Sequence, residues 1–331
     1  MVLMALSIED LGDRRVVKVL GDQMIGQAFC KAVEATHQTE LSMPTIQALA
    51  RITGEGWLIS QLKREAHIEE RISNLVARYC DSGDRLRVLD YGCGTGASSV
   101  CLARHGLQVT GVDVTPDLLE VGRLRAQDHD LTERTEFVDV EDTARLPFGD
   151  STFDAVFACG VFEHISPPER DKYAGECWRV LRPGGVFVIT DTPSRFWMLE
   201  GHTTGLPLVH WLPMTFAIPL IARFGRIPGR VYTARQLVAD GFVGLNLISF
   251  LKHLPGARVG RYANNPIRSY FGQLRDNLEA SRRHRCVNAW AEFVSWLIYY
   301  PVRAAGLPIE AFLPYIELGI EKGSEETQFR R

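Results

Sequence analysis

Between Leu86 and Asp191 short apolar runs alternate with stretches of helical spacing. Leu86–Asp90, Gln108–Val112, Glu136–Val140, Phe153–Cys159 and Val186–Asp191 read as five strands, each brief and bounded by turn residues. Ala97–Arg104 and Glu169–Leu181 read as helices, the second closed by Arg182-Pro183-Gly184-Gly185. Pro116 opens a further helix, where proline suits the first turn. Strands alternating with helices over short connections predict a doubly wound α/β fold, with a parallel sheet covered on both faces.

The flanks follow other patterns. Leu58, Leu62, Glu65, Ile68, Ile72, Leu75 and Val76 recur at helical spacing, so residues 1–80 read as a helical N-terminal cap ending in a turn at Asp81–Asp84. After Asp191 the alternation stops. Residues 192–230 are rich in proline, glycine and aromatic residues and read as a structured loop or lid over the core. Thr233–Asp240 reads as a helix with Thr233 as its N-cap and Gly241 behind it. Val243–Phe250 is the expected sixth strand and Leu313–Glu321 the last, leaving 251–310 as a helical insertion. The expected division is thus a cap (1–80), a core (81–250), an insertion (251–310) and a final strand with its tail (311–331).

Composition narrows the class. The chain has 331 residues, 46% apolar and 23% charged, which excludes a disordered chain, a collagen-like repeat and a disulfide-dense mini-protein. The net charge of −3 is unevenly spread: residues 1–200 hold 21 basic and 31 acidic residues, and residues 201–331 hold 16 and 9. Lys252 to Arg285 alone contains eight basic and two acidic residues, a run suited to phosphates, headgroups or an acidic substrate, although most such runs are solvated faces. The seven cysteines are scattered without a C-x-x-C pair, so neither a disulfide framework nor a metal site is expected. The first ten residues lack a basic n-region, and no long uninterrupted apolar run exists, so a cytoplasmic location is expected.

The chemistry concentrates at Val88-Leu89-Asp90-Tyr91-Gly92-Cys93-Gly94-Thr95-Gly96. A strand ends in an acid, and a G-x-G-x-G turn then leads into a helix. Glycines let the backbone bend and a ligand approach it closely. Asp90, two residues before the first glycine, would repel a pyrophosphate but suits a cationic amino group. Asp113 ends the next strand, where a carboxylate can accept ribose hydroxyls. Ordered matches follow at Glu141–Phe148, Ser151–Val156, Val161–Ile165 and Val180–Gly185. Over roughly residues 70–250 the chain resembles the class I S-adenosylmethionine-dependent methyltransferases, of the quinone-biosynthesis type. The resemblance implies a seven-stranded Rossmann-like sheet and S-adenosylmethionine as cofactor, released as S-adenosylhomocysteine.

Carried over by position, the resemblance assigns the methionine amino group to Asp90 and the floor beneath the methionine and ribose to Gly92, Gly94 and Gly96. It assigns the ribose hydroxyls to Asp113 and the adenine amine to Asp142, with Thr143 nearby. Val114 and Cys159 belong to the same cofactor-binding set. The cofactor carries an activated methyl group, so the chain must mainly align the acceptor, and a base is needed only for an acceptor that must lose a proton. His164, His202 and His210 are the candidate bases, the last two in the lid.

The aromatic lid favours a small or lipid-like acceptor methylated at O, N or C. Peripheral membrane contact is kept open for Leu206–Phe224, against which its three prolines argue. Nothing in the pattern sets the oligomeric state. Nucleic acid is not the expected partner, although an RNA methyltransferase using the basic run 252–285 is the alternative reading. A catalytically silent cofactor-binding protein is a further alternative. A nicotinamide-dependent oxidoreductase is disfavoured by the G-x-G-x-G spacing and by Asp90.

Overall fold

The computed structural model describes residues 5–25, 28–53, 55–80, 86–227, 229–259, 267 and 282–323. Among them, seven strands form one sheet: β4 (Arg87–Tyr91), β5 (Gln108–Asp113), β6 (Thr135–Asp139), β7 (Phe153–Cys159), β8 (Leu181–Pro193), β11 (Ala257–Val259) and β12 (Tyr315–Lys322). Their spatial order is β11-β12-β8-β7-β4-β5-β6. β4 pairs parallel with β5 and β7, and β12 runs antiparallel between β8 and β11. The chain winds outward from β4 through β5 to β6, then returns to start β7 on β4's other side. That reversal opens a crevice at the carboxyl ends of β4 and β7, where doubly wound sheets bind ligands.

Both faces of the sheet are buried, as parallel strands require. Val88, Phe157 and Val188 face Ile68, Ile72 and Leu75 of α3 (Arg64–Tyr79) and Cys101 and Leu102 of α4 (Ala97–Arg104). Leu89, Phe187 and Leu318 face Cys177 and Trp178 of α6 (Arg170–Val180) and Leu247 and Phe250 of α9 (Leu247–Lys252).

The N-terminal cap differs from expectation. It is helical only from Met43, as α1 (Met43–Thr53), α2 (Glu55–Leu62) and α3. Before it, β1 (Ala5–Asp10), β2 (Arg15–Ile25) and β3 (Ala28–Thr39) form an antiparallel meander. Val17 and Val19 alternate inward from exposed Lys18 and pack on Ile46, Leu49 and Leu58, and this layer also touches Val121 of α5 (Pro116–Asp128). Val16 is buried beside Val17, so the period-two alternation of β2 is broken at its start and is easily missed.

The sixth strand also moves. Val243–Phe250 is not a strand: Asn246 accepts a hydrogen bond from the Ser249 amide at 3.0 Å and caps α9, while Leu247 and Phe250 are buried at helical spacing. The strand in that place of the sheet is Ala257–Val259, inside the stretch expected to be a helical insertion. The lid is ordered. It contains a short hairpin of β9 (Leu199–Glu200) and β10 (Leu206–Pro207), a 3-10 turn at Val209–Trp211 and helix α7 (Met214–Phe224), which runs through Pro219. As expected, Thr233 caps α8 (Ala234–Ala239), with a reciprocal bond to Gln236.

Helix α10 (Arg282–Ala304) turns Val294 and Ile298 toward Trp197 and Ile309 and leaves Phe293 and Leu297 exposed. Most of the basic run 252–285 lies outside the described residues. No helix of the described residues is long and apolar enough to cross a membrane.

One buried ion pair ties the cap to the core. Glu65 of α3 binds the fully buried Arg125 of α5, and also Arg104 at 3.1 Å and His129 at 2.9 Å. Burial works to raise the Glu65 carboxyl, but the His129 hydrogen bond and the neighbouring cations hold it at about 2. A carboxyl lowered on folding stabilises the fold above its ordinary range and loses that contribution as pH falls toward 2. Glu65→Ala is expected to cost about 3–5 kcal/mol, because it leaves Arg125 buried without its partner. Chemical denaturation checks the loss, and the difference from the unsubstituted protein should shrink below about pH 4.

Candidate functional site

A cavity of about 560 Å³ opens at the crevice between β4 and β7. Its wall on the β4 side is the glycine turn from Gly92 to Ser98. Gly92, Gly94 and Gly96 all have positive φ (68°, 52° and 75°), which favours glycine. A Cβ on Gly96 would lie 2.6 Å from the Gly122 Cα, so this glycine lets α5 pack onto the turn. A Cβ on Gly94 would meet nothing within 4 Å, and its backbone is open to a ligand.

Asp90 lies behind this turn and is fully buried. Its Oδ2 accepts from Ser98 at 2.7 Å and Ser99 at 2.6 Å, while Oδ1 is buried without a partner. Burial pushes its carboxyl up to about 6. Asp90 does not itself line the cavity, so a bound cationic donor would reach this unpartnered acceptor through the turn or a water.

Asp113 accepts from the Gly94 amide and from the Thr115 amide, both at 3.0 Å, and so ties the turn to the end of β5. Asp113, exposed Val114, Asp142 and Thr143 do not line the cavity; they sit at or just beyond the ends of β5 and β6. Asp142 is half-exposed, accepts from the Ala144 amide and pairs with Lys172 at 2.9 Å. The Thr143 carbonyl accepts from the Tyr91 hydroxyl at 3.0 Å. Cys159 does line the cavity, and burial pushes its thiol up to about 12.

The same cavity is lined by a cluster of titratable side chains. Glu163 is buried, with Thr192 donating to its Oε2 at 3.2 Å and the His164 Nε2 lying 3.8 Å from its Oε1. His164 Nδ1 donates to the Ala239 carbonyl at 2.6 Å, which fixes the tautomer and turns Nε2 toward Glu163. His202 from the lid completes the group: ligand-capable atoms of Glu163, His164 and His202 all lie within 4.8 Å of one another. Such a set can hold a shared proton or a divalent cation. Burial raises the Glu163 carboxyl to about 7 and lowers His202 to about 4. Gly241 makes the juxtaposition possible: it has φ 80°, and a Cβ there would lie 2.9 Å from both Glu163 Cγ and His202 Cδ2. His210 is elsewhere. It is buried against Trp211 and Phe242 in the lid's own core and does not line the cavity.

Several site residues carried no motif. Gln61 of α2 and Arg64 and His67 of α3, with Lys63 between the helices, bring both into the cavity wall, which Asp191 near the end of β8 also lines. Asp191 pairs with Arg64 at 2.9 Å and Arg71 at 2.8 Å, and Arg71 also reaches Glu317 at 3.3 Å. Burial works against the Asp191 charge, yet the two guanidinium groups hold its carboxyl at about 2. Asp191 has a left-handed backbone, φ 56°, uncommon for a residue other than glycine and a form of local strain that clusters at functional sites. Only its place at a strand's carboxyl end pointed to the site.

Comparison with known proteins places this geometry in a class. Residues 89–189 match the family model described as "Methyltransferase domain". The chain is 38% identical over 131 residues to Methyltransferase GfsG of Streptomyces halstedii and 33% identical over 127 residues to the sterol 4-C-methyltransferase strm-1 of Caenorhabditis elegans. It is 33% identical over 165 residues to a ubiquinone biosynthesis O-methyltransferase of Xanthomonas campestris. These alignments cover 39%, 38% and 48% of this chain and 46%, 37% and 64% of the respective relatives. Residues 89–189 are thus similar to a methyltransferase domain, and the relatives named are methyltransferases of which the chain spans less than two thirds.

Asp113→Ala is expected to weaken S-adenosylmethionine binding by about 1.5–3 kcal/mol, the scale of a hydrogen bond to a charged group. Isothermal titration calorimetry checks it. Unchanged affinity would mean that neither the carboxylate nor its hold on the Gly94 amide matters for the cofactor.

Proposed function

We propose that the protein transfers the methyl group of S-adenosylmethionine to a small or lipid-like organic acceptor, at an atom that must lose a proton, a hydroxyl above all. One observation carries the reading: the glycine turn and the Glu163–His164–His202 cluster line a single cavity. When bound, S-adenosylmethionine supplies a methyl group already activated on a sulfonium. The unpartnered Oδ1 of Asp90 suits its amino group, and the open backbone at Gly94 suits its close approach. The named relatives support the acceptor class, since one is a sterol and another a ubiquinone-pathway methyltransferase.

The chain's own contribution is positioning and proton transfer. Glu163 has a fixed orientation through Thr192 and a carboxyl raised into the neutral range, which suits a general base. His164 is oriented by the Ala239 carbonyl and backs Glu163. His202, kept neutral by burial, brings the lid against the same group. Lys63 and Arg64 add basic groups to the wall that favour an acceptor with some negative charge, while burial lowers His67. A ligand there would compete with Asp191 for Arg64.

The test uses methyl-labelled S-adenosylmethionine and a lysate of the source organism, followed by partition of label between organic solvent, water and acid precipitate. Label in the organic phase is expected; label confined to the precipitate would overturn the acceptor class. With an acceptor in hand, turnover should rise with pH through about 7, as Glu163 loses its proton. Glu163→Gln should remove that limb while sparing cofactor affinity. Gly241→Ala should also lower turnover with cofactor affinity intact, because its Cβ enters between Glu163 and His202.

A further inference from the structure

The lid helix α7 has two apolar faces. Ala217 and Ile221 point inward onto a core that includes Val209, Leu237 and Phe242. Phe216, Leu220 and Phe224, spaced four residues apart, point outward and are 65%, 40% and 62% exposed. Leu208, Trp211 and Leu212, just ahead of the helix, are exposed as well. The Trp211 indole N–H already donates to the Arg195 carbonyl at 2.7 Å, so the ring stands in solvent with its polar need met. Pro219 removes one backbone hydrogen bond but does not break the helix. A continuous stripe of this kind on a soluble surface marks an interaction site.

The charge around the stripe says what covers it. From Gly201 to Ala239 there are four arginines and no acidic residue. Arg223 lies within the stripe and Arg226, Arg230 and Arg235 follow it in sequence, all four exposed. The Arg223 guanidinium lies 5.5 Å from the Phe224 ring centre, so cation and aromatic sit side by side. An apolar helix face bordered by arginines without acids complements an anionic lipid surface. It does not suit a second copy of itself, because two such faces would bring the arginines together.

We infer that α7 and the arginines behind it dock the protein onto an anionic bilayer surface, with Phe216, Leu220 and Phe224 inserted among the headgroups and Arg223 and Arg230 on the phosphates. The same segment is fastened to the cavity. Arg226 donates to the carbonyls of Gly201 and His202, and His202 lines the cavity wall. The docked face and the cavity rim are therefore one continuous piece of chain. The docking stands apart from the methyl-transfer reading; only its use in delivering an apolar acceptor from the bilayer rests on that reading.

The test is flotation of the full chain with vesicles of phosphatidylcholine alone or mixed with phosphatidylglycerol, and it needs no turnover. Binding to the anionic vesicles is expected to exceed binding to the neutral ones by about tenfold or more and to fall with added salt. Phe216→Ser, Leu220→Ser and Phe224→Ser together should abolish binding. Arg223→Glu with Arg230→Glu should remove the preference for anionic lipid. Thermal melting and S-adenosylmethionine affinity of each variant show that the fold is kept, and the arginine pair serves if the triple variant fails to fold. The inference is overturned if the unsubstituted protein stays off both vesicles. It is equally overturned if the folded variants bind as well as the parent, or if the chain is a dimer that the stripe substitutions dissociate.

Discussion

The cavity depends on one arrangement of charge: a carboxylate at the end of β8 held between two guanidinium groups from α3. Asp191 supplies the negative centre, and without it Arg64 and Arg71 would bring like charges together beside the cavity. With it, α3 is pinned across the carboxyl ends of the strands, so a helix outside the sheet's own winding becomes a wall of the site. Glu317 on β12 extends the pairing to the strand on the other side of β8. The left-handed backbone at Asp191 is the local cost of aiming one carboxylate at both arginines.

Close by, the balance is reversed. Glu163 accepts from Thr192, next to Asp191, but among the described residues its carboxylate makes no ion pair with a guanidinium, so burial dominates and it is held near neutrality. A carboxyl raised on folding lowers stability as pH rises between its ordinary range and about 7, since the folded state then binds more protons. Two carboxylates of one cavity are thus driven apart in proton affinity by what faces them. One serves as a fixed charge and the other as an exchangeable proton site, the kind of split that assigns acid–base roles.

The parallel half of the fold was legible because its apolar runs alternate with helical spacing, and because β4 is followed by a glycine-rich turn and β5 by a proline-started helix. Gly92, Gly94 and Gly96 are where a positive φ was needed, and the chain spells them out. Broken or ambiguous patterns were less legible. Val16 is buried beside Val17 and spoils the alternation of β2, and Val243–Phe250 is an apolar run whose length suits strand or helix equally; the Asn246 cap decided it. The glycine turn could be named from sequence, and so could His164 and His202 as single candidates, but not their meeting with Glu163. Glu163 and His202 are brought together by the lid's return, and the signal for that contact is Gly241, whose missing side chain has no meaning until both neighbours are in place. His210, by contrast, looked like a site residue because it sits in the lid, and its ring packs into the lid's interior.

The interleaved sheet edge has a consequence for how the chain is made. β11 pairs with β12, and β12 also covers the free edge of β8. The residues of β11 leave the ribosome well before those of β12, so during synthesis two strand edges wait for one late partner. Until Tyr315–Lys322 arrives, the growing chain exposes open backbone that another nascent chain could pair with. The final strand therefore acts as a molecular clasp, and the pace of its arrival sets the window in which the protein is open to misassembly.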